Sequence, residues 1–201
     1  MDLTIPNRIL TRRLHIRPHT VEDADGFVEF LTDDIATRYL TFEPEQRTAK
    51  SARELLDFII TSYDAETPVF ALAITERSNK AYLGSCGLAP VADKETAVEC
   101  YFSLLPRYWG WGYATESMEA LLYYAFVELK LDEVVANIMG GHEGAYSVAE
   151  NAGMTDKGPV QYRDMPDAEH FAITKEEYLA RAERMHLNND GEDEHENETE
   201  I

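Results

Sequence analysis

The chain has 201 residues, a length that fits one or two domains, and its 44% hydrophobic content suffices for one proper core. Its 18 Lys and Arg face 38 Asp and Glu, a formal charge of −20, which disfavours nucleic acid and permits attraction of cationic amines. No basic start followed by an apolar run opens the sequence, and no stretch reaches the ~18 uninterrupted apolar residues of a membrane span, so a soluble cytoplasmic protein without membrane partners is expected.

In chain order, Ile9 to Arg17 reads as a first strand, its Leu10, Leu14 and Ile16 alternating irregularly with Arg12, Arg13 and His15. Thr20 and Asp23 form an N-cap pair that opens a helix through about Leu31, weakened by Gly26. A connection through Tyr39 and Phe42 leads to a second helix at about Ala49 to Tyr63, with Leu55, Leu56, Ile59 and Ile60 on its buried side. Val69 to Thr75 and Ala81 to Ala89 read as a hairpin, with Gly84 and Gly87 marking bulges or close backbone approach. After a turn at Asp93-Lys94-Glu95, Ala97 to Leu105 is a third strand of an antiparallel meander, stopped by Pro106.

A helix from about Gly112 to Lys130 follows, then a strand at Glu133 to Met139, a short helix at Glu143 to Asn151, and strands at Met154 to Val160 and His170 to Ile173. Thr174 to Glu177 caps a last helix reaching about Arg184. The whole reads as one α/β domain over residues 1–187, a mixed, mostly antiparallel sheet flanked by helices. Seven acids and no Lys or Arg fall in residues 188–201, an expected disordered acidic tail, while the remainder still carries 18 bases against 31 acids. Cys86 and Cys100 lie in strand-like runs without metal-ligand spacing, so they read as buried apolar residues with no disulfide and no metal site.

The stretch from Pro106 to Glu116 joins the third meander strand to the long helix. Gly110 and Gly112 allow a tight turn that aims backbone N–H groups outward at a helix N-terminus, a cradle for a pyrophosphate, although the same pair would also serve a plain strand-to-helix turn. The spacing R-x-x-G-x-G over Arg107, Gly110 and Gly112 is neither a Walker A loop nor a G-x-G-x-x-G fingerprint.

That spacing resembles the pyrophosphate loop [QR]-x-x-G-x-[GA] of the GNAT superfamily of acetyl-CoA-dependent N-acetyltransferases. The phrase AVECYFSLLPRYWGWGYATES is similar to the branch that acetylates ribosomal-protein N-termini, with Glu99, Pro106, Trp109, Gly110, Gly112, Tyr113, Ala114, Thr115 and Glu116 in register. HEGAYSVAENAGM, His142 to Met154, resembles that family's following segment, and the likeness extends more loosely from about Ile9 to Thr174. The resemblance implies the GNAT fold and transfer of acetyl from acetyl-CoA, as co-substrate and without metal, to a primary amine on a small molecule or a protein N-terminus, by direct attack. A non-catalytic acyl-CoA-binding sensor on the same fold is the alternative; either would be a monomer or homodimer.

The resemblance places the CoA contacts at Leu104, Leu105, Arg107, Trp109, Gly110, Trp111, Gly112, Tyr113, Ala114 and His142, with main-chain N–H groups near Leu104 and Leu105 on the thioester carbonyl. It also makes the two early helices and their loop the acceptor wall, with Tyr39 and Phe42 as acceptor contacts or as ordinary packing. Alternation puts Glu99, Tyr101 and Ser103 on one strand face. An acid in that apolar run is either a structurally satisfied group or, as in the resembled family, the base for the substrate ammonium. Three positions depart from the family pattern: His142 replaces an Asn, Ala145 a Ser, and Ala149 the Tyr that protonates the leaving thiolate in other branches. A thiol of reference pKa ~8.5 leaves with little help near neutral pH.

Overall fold

A computed structural model describes residues 3–92, 94–163 and 165–193. Asp93, expected at a turn, and residues 194–201 of the acidic tail lie outside these.

The first strand is a hairpin. β1 (Ile9–Leu10) pairs antiparallel with β2 (Leu14–Pro18), Leu10 opposite His15. Thr11 makes the reversal: its amide donates to the Leu14 carbonyl (3.0 Å) while its hydroxyl accepts from the Leu14 amide (2.8 Å), a local pairing that competes with continued strand. Thr20 and Asp23 form the expected capping box around one 3₁₀ turn, and α1 (Ala24–Thr32) follows. Thr48 caps α2 (Ala49–Ser62), its hydroxyl accepting from the Ser51 amide. The two helices pack through Phe27, Phe30 and Leu31 against Ala52, Leu56 and Ile59.

β3 (Ala71–Glu76), β4 (Tyr82–Pro90) and β5 (Ala97–Leu104) form the antiparallel meander. α3 (Tyr113–Tyr123) widens into a π-helical stretch at Tyr124–Glu128, closed by the Leu129 amide on the Tyr124 carbonyl at 2.9 Å. β6 (Glu133–Ile138), α4 (Glu143–Asn151), β7 (Thr155–Tyr162) and β8 (Met165–Thr174) complete the sheet. α5 (Lys175–Asp193) runs past the expected end at about Arg184, through residues 188–193 of the segment read as a disordered tail.

The strand order is β1-β2-β3-β4-β5-β6-β8-β7, antiparallel throughout except where β5 meets β6. That parallel ladder runs only from Ala97 opposite Glu133 to Glu99 opposite Val135. Beyond it the two strands line a cavity from either side, and the sheet is split.

Alternation along β3 divides the core. Leu72 and Ile74 join Met118, Leu121 and Phe126 under α3, whereas Ala71 joins the α1–α2 cluster on the other face. Cys86 and Cys100 are buried free thiols. Among the described residues no helix is long and apolar enough to cross a membrane, and no group of three or more His, Cys, Asp or Glu could hold a metal ion.

Candidate active site

Two cavities meet at the split in the sheet. The first, about 650 Å³, runs along the loop between β5 and α3 and is lined there by Leu104, Trp109, Gly110, Gly112, Tyr113 and Ala114. Gly110 and Gly112 both have φ of +75°, the left-handed region that favours glycine. A Cβ added at Gly110 would meet nothing within 4 Å, so the backbone there faces open space where an anion can approach the N-terminus of α3.

The loop is anchored from both ends. The Trp109 indole N–H donates to the Leu104 carbonyl at 2.8 Å. Behind the loop, Arg13 donates to the Trp111 carbonyl (2.8 Å), lies over the Tyr113 ring (4.4 Å) and pairs through Nε with Glu116 (2.6 Å). Glu116 also accepts from the Arg13 amide (2.8 Å) and the Thr11 hydroxyl. The Tyr113 hydroxyl donates to Glu76 at 2.9 Å. Sequence reading missed Arg13, because nothing local marks an arginine in the turn between β1 and β2 as the partner of a glutamate 103 positions later.

Two residues expected at the cofactor are engaged elsewhere. The Arg107 guanidinium forms a two-pronged ion pair with Glu29 of α1, outside the lining of the groove. The Leu105 amide donates to the Leu83 carbonyl at 2.9 Å and its side chain is fully buried. Ladder bonds alternate along a strand, so the polar groups of Leu104 face the split while those of Leu105 face β4. The Trp111 side chain is 67% exposed, outside the groove lining.

The second cavity, about 490 Å³, reaches from the α1–α2 face through the split to Met118 and Ala149 on the α3–α4 face. Glu99, Tyr101 and Ser103 line it, as does Phe42. The Glu99 side chain is 16% exposed; one oxygen accepts from Asn137 Nδ2 (3.0 Å) and the other from the Tyr162 hydroxyl, with Arg163 at 3.6 Å. Asn137 Oδ1 lies 2.8 Å from His170 Nδ1, which fixes the amide and through it the carboxylate. Burial, then the bond to Glu99, pushes the Tyr162 hydroxyl up to about 12. The sequence carried a faint sign of Asn137, a polar residue within the apolar run EVVANIM, and none for Tyr162.

His19 and Ser85 also line this cavity, their side chains 3.1 Å apart, and Tyr82 lies 2.9 Å from Ser85. Burial drives the His19 imidazole down to about 4 against the opposing charge of Asp23, so it is neutral near pH 7.

Tyr39, Leu40, Phe102, Ser103, His142 and Ala145 line both cavities. Tyr39 stacks on His142 with ring centroids 4.0 Å apart, and its hydroxyl reaches the Gly141 carbonyl at 3.3 Å. His142 Nδ1 accepts from the Ala145 amide and so caps α4, and burial lowers its pKa. A neutral ring accepting at Nδ1 carries its proton on Nε2. The Tyr146 hydroxyl accepts from the Gly141 amide at 3.0 Å, holding the turn before α4. Ala149 is fully buried and carries no titratable group.

A family model described as an acetyltransferase (GNAT) domain matches residues 13–155. An uncharacterized N-acetyltransferase of Bacillus licheniformis, p20, is 23% identical over 176 residues, 85% of this chain and 97% of its own. Among solved structures, an acetyltransferase (GNAT family) from Bacillus anthracis superposes with a TM-score of 0.71 at 21% identity, covering 84% of this chain and 99% of that one. A spermidine N-acetyltransferase from Vibrio cholerae, solved with CoA and spermine, gives 0.70 at 18% identity and the same coverages. At such identities the superpositions speak for the fold.

Proposed function

The chain belongs to the GNAT acetyltransferase family, and from that premise we propose that it moves an acetyl group from acetyl-CoA to a primary amine by direct attack. The observation that carries the reading is the junction itself: a groove beneath left-handed glycines opens into a cavity that holds, among the described residues, one carboxylate, and Tyr39, Phe102, Ser103 and His142 line both.

In this reading the amides around Gly110 and Gly112, at the positive end of α3, hold the CoA phosphates. The Leu104 amide faces the split and donates to the thioester carbonyl, polarising it, while the Leu104 carbonyl stays with the Trp109 indole. His142 offers Nε2–H at the crossing between the cavities. Arg107 supports the phosphates only by leaving Glu29, and both side chains are about half exposed, where such pairs exchange at little cost.

Glu99 takes the proton of the acceptor ammonium, directly or through water, and the fixed donors Asn137 and Tyr162 hold its carboxylate toward the cavity. The freed amine attacks the thioester carbon, the C–N bond forms, the C–S bond breaks and the thiolate departs. The W-G-x-G-Y-A-T-E phrase is similar to that of the ribosomal-protein N-terminal branch, a likeness of the cofactor loop that leaves the acceptor open, and we take the setting to be cytoplasmic.

Acetyl-CoA binding by calorimetry and thiol release with a panel of amines test the proposal. Glu99→Gln should keep CoA affinity while kcat/KM falls by ~10² to 10⁴, recovering as pH approaches the amine's own pKa. Full activity at neutral pH with an unchanged profile would remove Glu99 as base. CoA binding with no turnover on any amine would instead favour the sensor.

A further inference from the structure

We propose that the acceptor is a monoamine, a single ammonium carried on a bulky apolar or aromatic body, with its charge at Glu99 and its body in the cavity under α1 and α2; the inference rests on the acetyltransferase reading and names the substrate class of that site. The first support is shape and lining. The cavity holds about 490 Å³, within the ~300–1,000 Å³ usual for small-molecule sites, and Phe27, Phe30, Leu31, Leu55 and Ile59 wall its deep side. Tyr101 turns a 40% exposed ring into it.

The second support is the count of charges. Glu99 is the one carboxylate among the described lining residues, and the one cation beside it is Arg163, 3.6 Å from its oxygen. His19, deeper in, is neutral near pH 7. A polyamine would place its second ammonium against apolar walls or near a guanidinium, and an uncompensated charge in such surroundings is strongly disfavoured. A peptide N-terminus would bring a train of amides against the deep walls of Phe27, Phe30, Leu31, Leu55 and Ile59, which offer them no side-chain partner, the polar lining other than His19 and Ser85 being gathered at the mouth around Tyr39, Ser103, Asn137 and His142. The spermidine enzyme of similar fold does not weigh against this, because substrate choice lies in the lining and not in the fold.

The experiment measures binding and turnover separately. 2-Phenylethylamine, spermidine and a free Ser-Ala tetrapeptide are titrated into the full chain by calorimetry without acetyl-CoA, then compared by thiol release with it. 2-Phenylethylamine should bind saturably, weaken at least about tenfold in Glu99→Gln, and exceed spermidine and the peptide in kcat/KM by about tenfold or more. Leu55→Asp, at a half-buried lining position, adds a second acid and should shift the ratio toward spermidine by a similar factor, with circular dichroism confirming the fold.

Spermidine or the peptide matching the arylalkylamine in binding or in kcat/KM would overturn the monoamine class while leaving the acetyltransferase reading intact. An arylalkylamine that binds a chain unable to bind acetyl-CoA would sustain the cavity assignment and sink the transferase reading. No binding of the arylalkylamine would overturn the inference outright.

Discussion

Replacing Glu116 with alanine tests whether the glycine loop is held from behind. The carboxylate is 16% exposed and accepts from the Thr11 hydroxyl, the Arg13 amide and Arg13 Nε, so truncation strands three donors at once. Hydrogen bonds to charged groups contribute ~1.5–3 kcal/mol each, and discounting for partial solvent access the loss should be about 2–4 kcal/mol. At ~2–4 °C per kcal/mol for a chain of this size, Tm should fall by about 5–15 °C.

The loss should also depend on pH. Burial pushes the Glu116 carboxyl up, but the bonds from Thr11 and Arg13 outweigh it and the net shift is downward. A depressed folded pKa contributes stability that is complete above the unfolded value of ~4.3 and disappears as pH falls through the folded one. The gap between wild type and variant, followed by denaturant unfolding, should therefore be level above about pH 5 and shrink below about pH 4. Because Arg13 also holds the Trp111 carbonyl and covers Tyr113, acetyl-CoA affinity should drop about tenfold in the same variant. A Tm change under about 2 °C, or a gap unchanged down to pH 3, would refute the buttress.

Gly110→Val should fold, since its Cβ meets open space, at a conformational cost of about 1–2 kcal/mol, yet lose CoA affinity at least about tenfold; unchanged calorimetric affinity would put the phosphates elsewhere. Burial pushes the Cys100 thiol up to about 12 and the Cys86 thiol upward as well, so neither should react with a disulfide thiol reagent at pH 8 until the protein is denatured. Prompt stoichiometric labelling of the native chain would contradict that burial. Deleting residues 188–201 should move Tm by less than about 2 °C and leave turnover intact, because so acidic a stretch offers little apolar area; a larger drop would show that it docks.

Elements written in local chemistry were legible. The Thr20–Asp23 capping box, the alternation that puts Glu99, Tyr101 and Ser103 on one cavity, and α4 from Glu143 to Asn151 follow from neighbours a few residues apart. What escaped depends on distant pairing. Nothing around Ile9 to Arg17 announces that Thr11 would satisfy both polar groups of Leu14 and turn one strand into two. The apolar signal confines the expected closing strand to His170 to Ile173, whereas β8 extends back to Met165 by pairing with β6 and β7. Gly26 reads as a weak point in α1, but a Cβ there would lie 2.5 Å from the Tyr82 ring, so the glycine is where helix and sheet touch. At the site, motif spacing located the glycine loop but could not say that Arg107 turns to Glu29 or that Leu105 spends its amide on Leu83. Those outcomes are set by what lies across the sheet.

The ladder between β5 and β6 has a mechanical consequence. Three residue pairs stitch the five N-terminal strands to the three C-terminal ones, so the sheet is two panels joined along a short seam. In deuterium exchange such panels should open as separate cooperative units, with amides of β6 and β8 exchanging together and those of β3 and β4 together. A molecule lying along the split acts as a rivet. Its binding free energy is shared by both panels, and protection should rise on both sides of the seam in step, including at strands that it never touches.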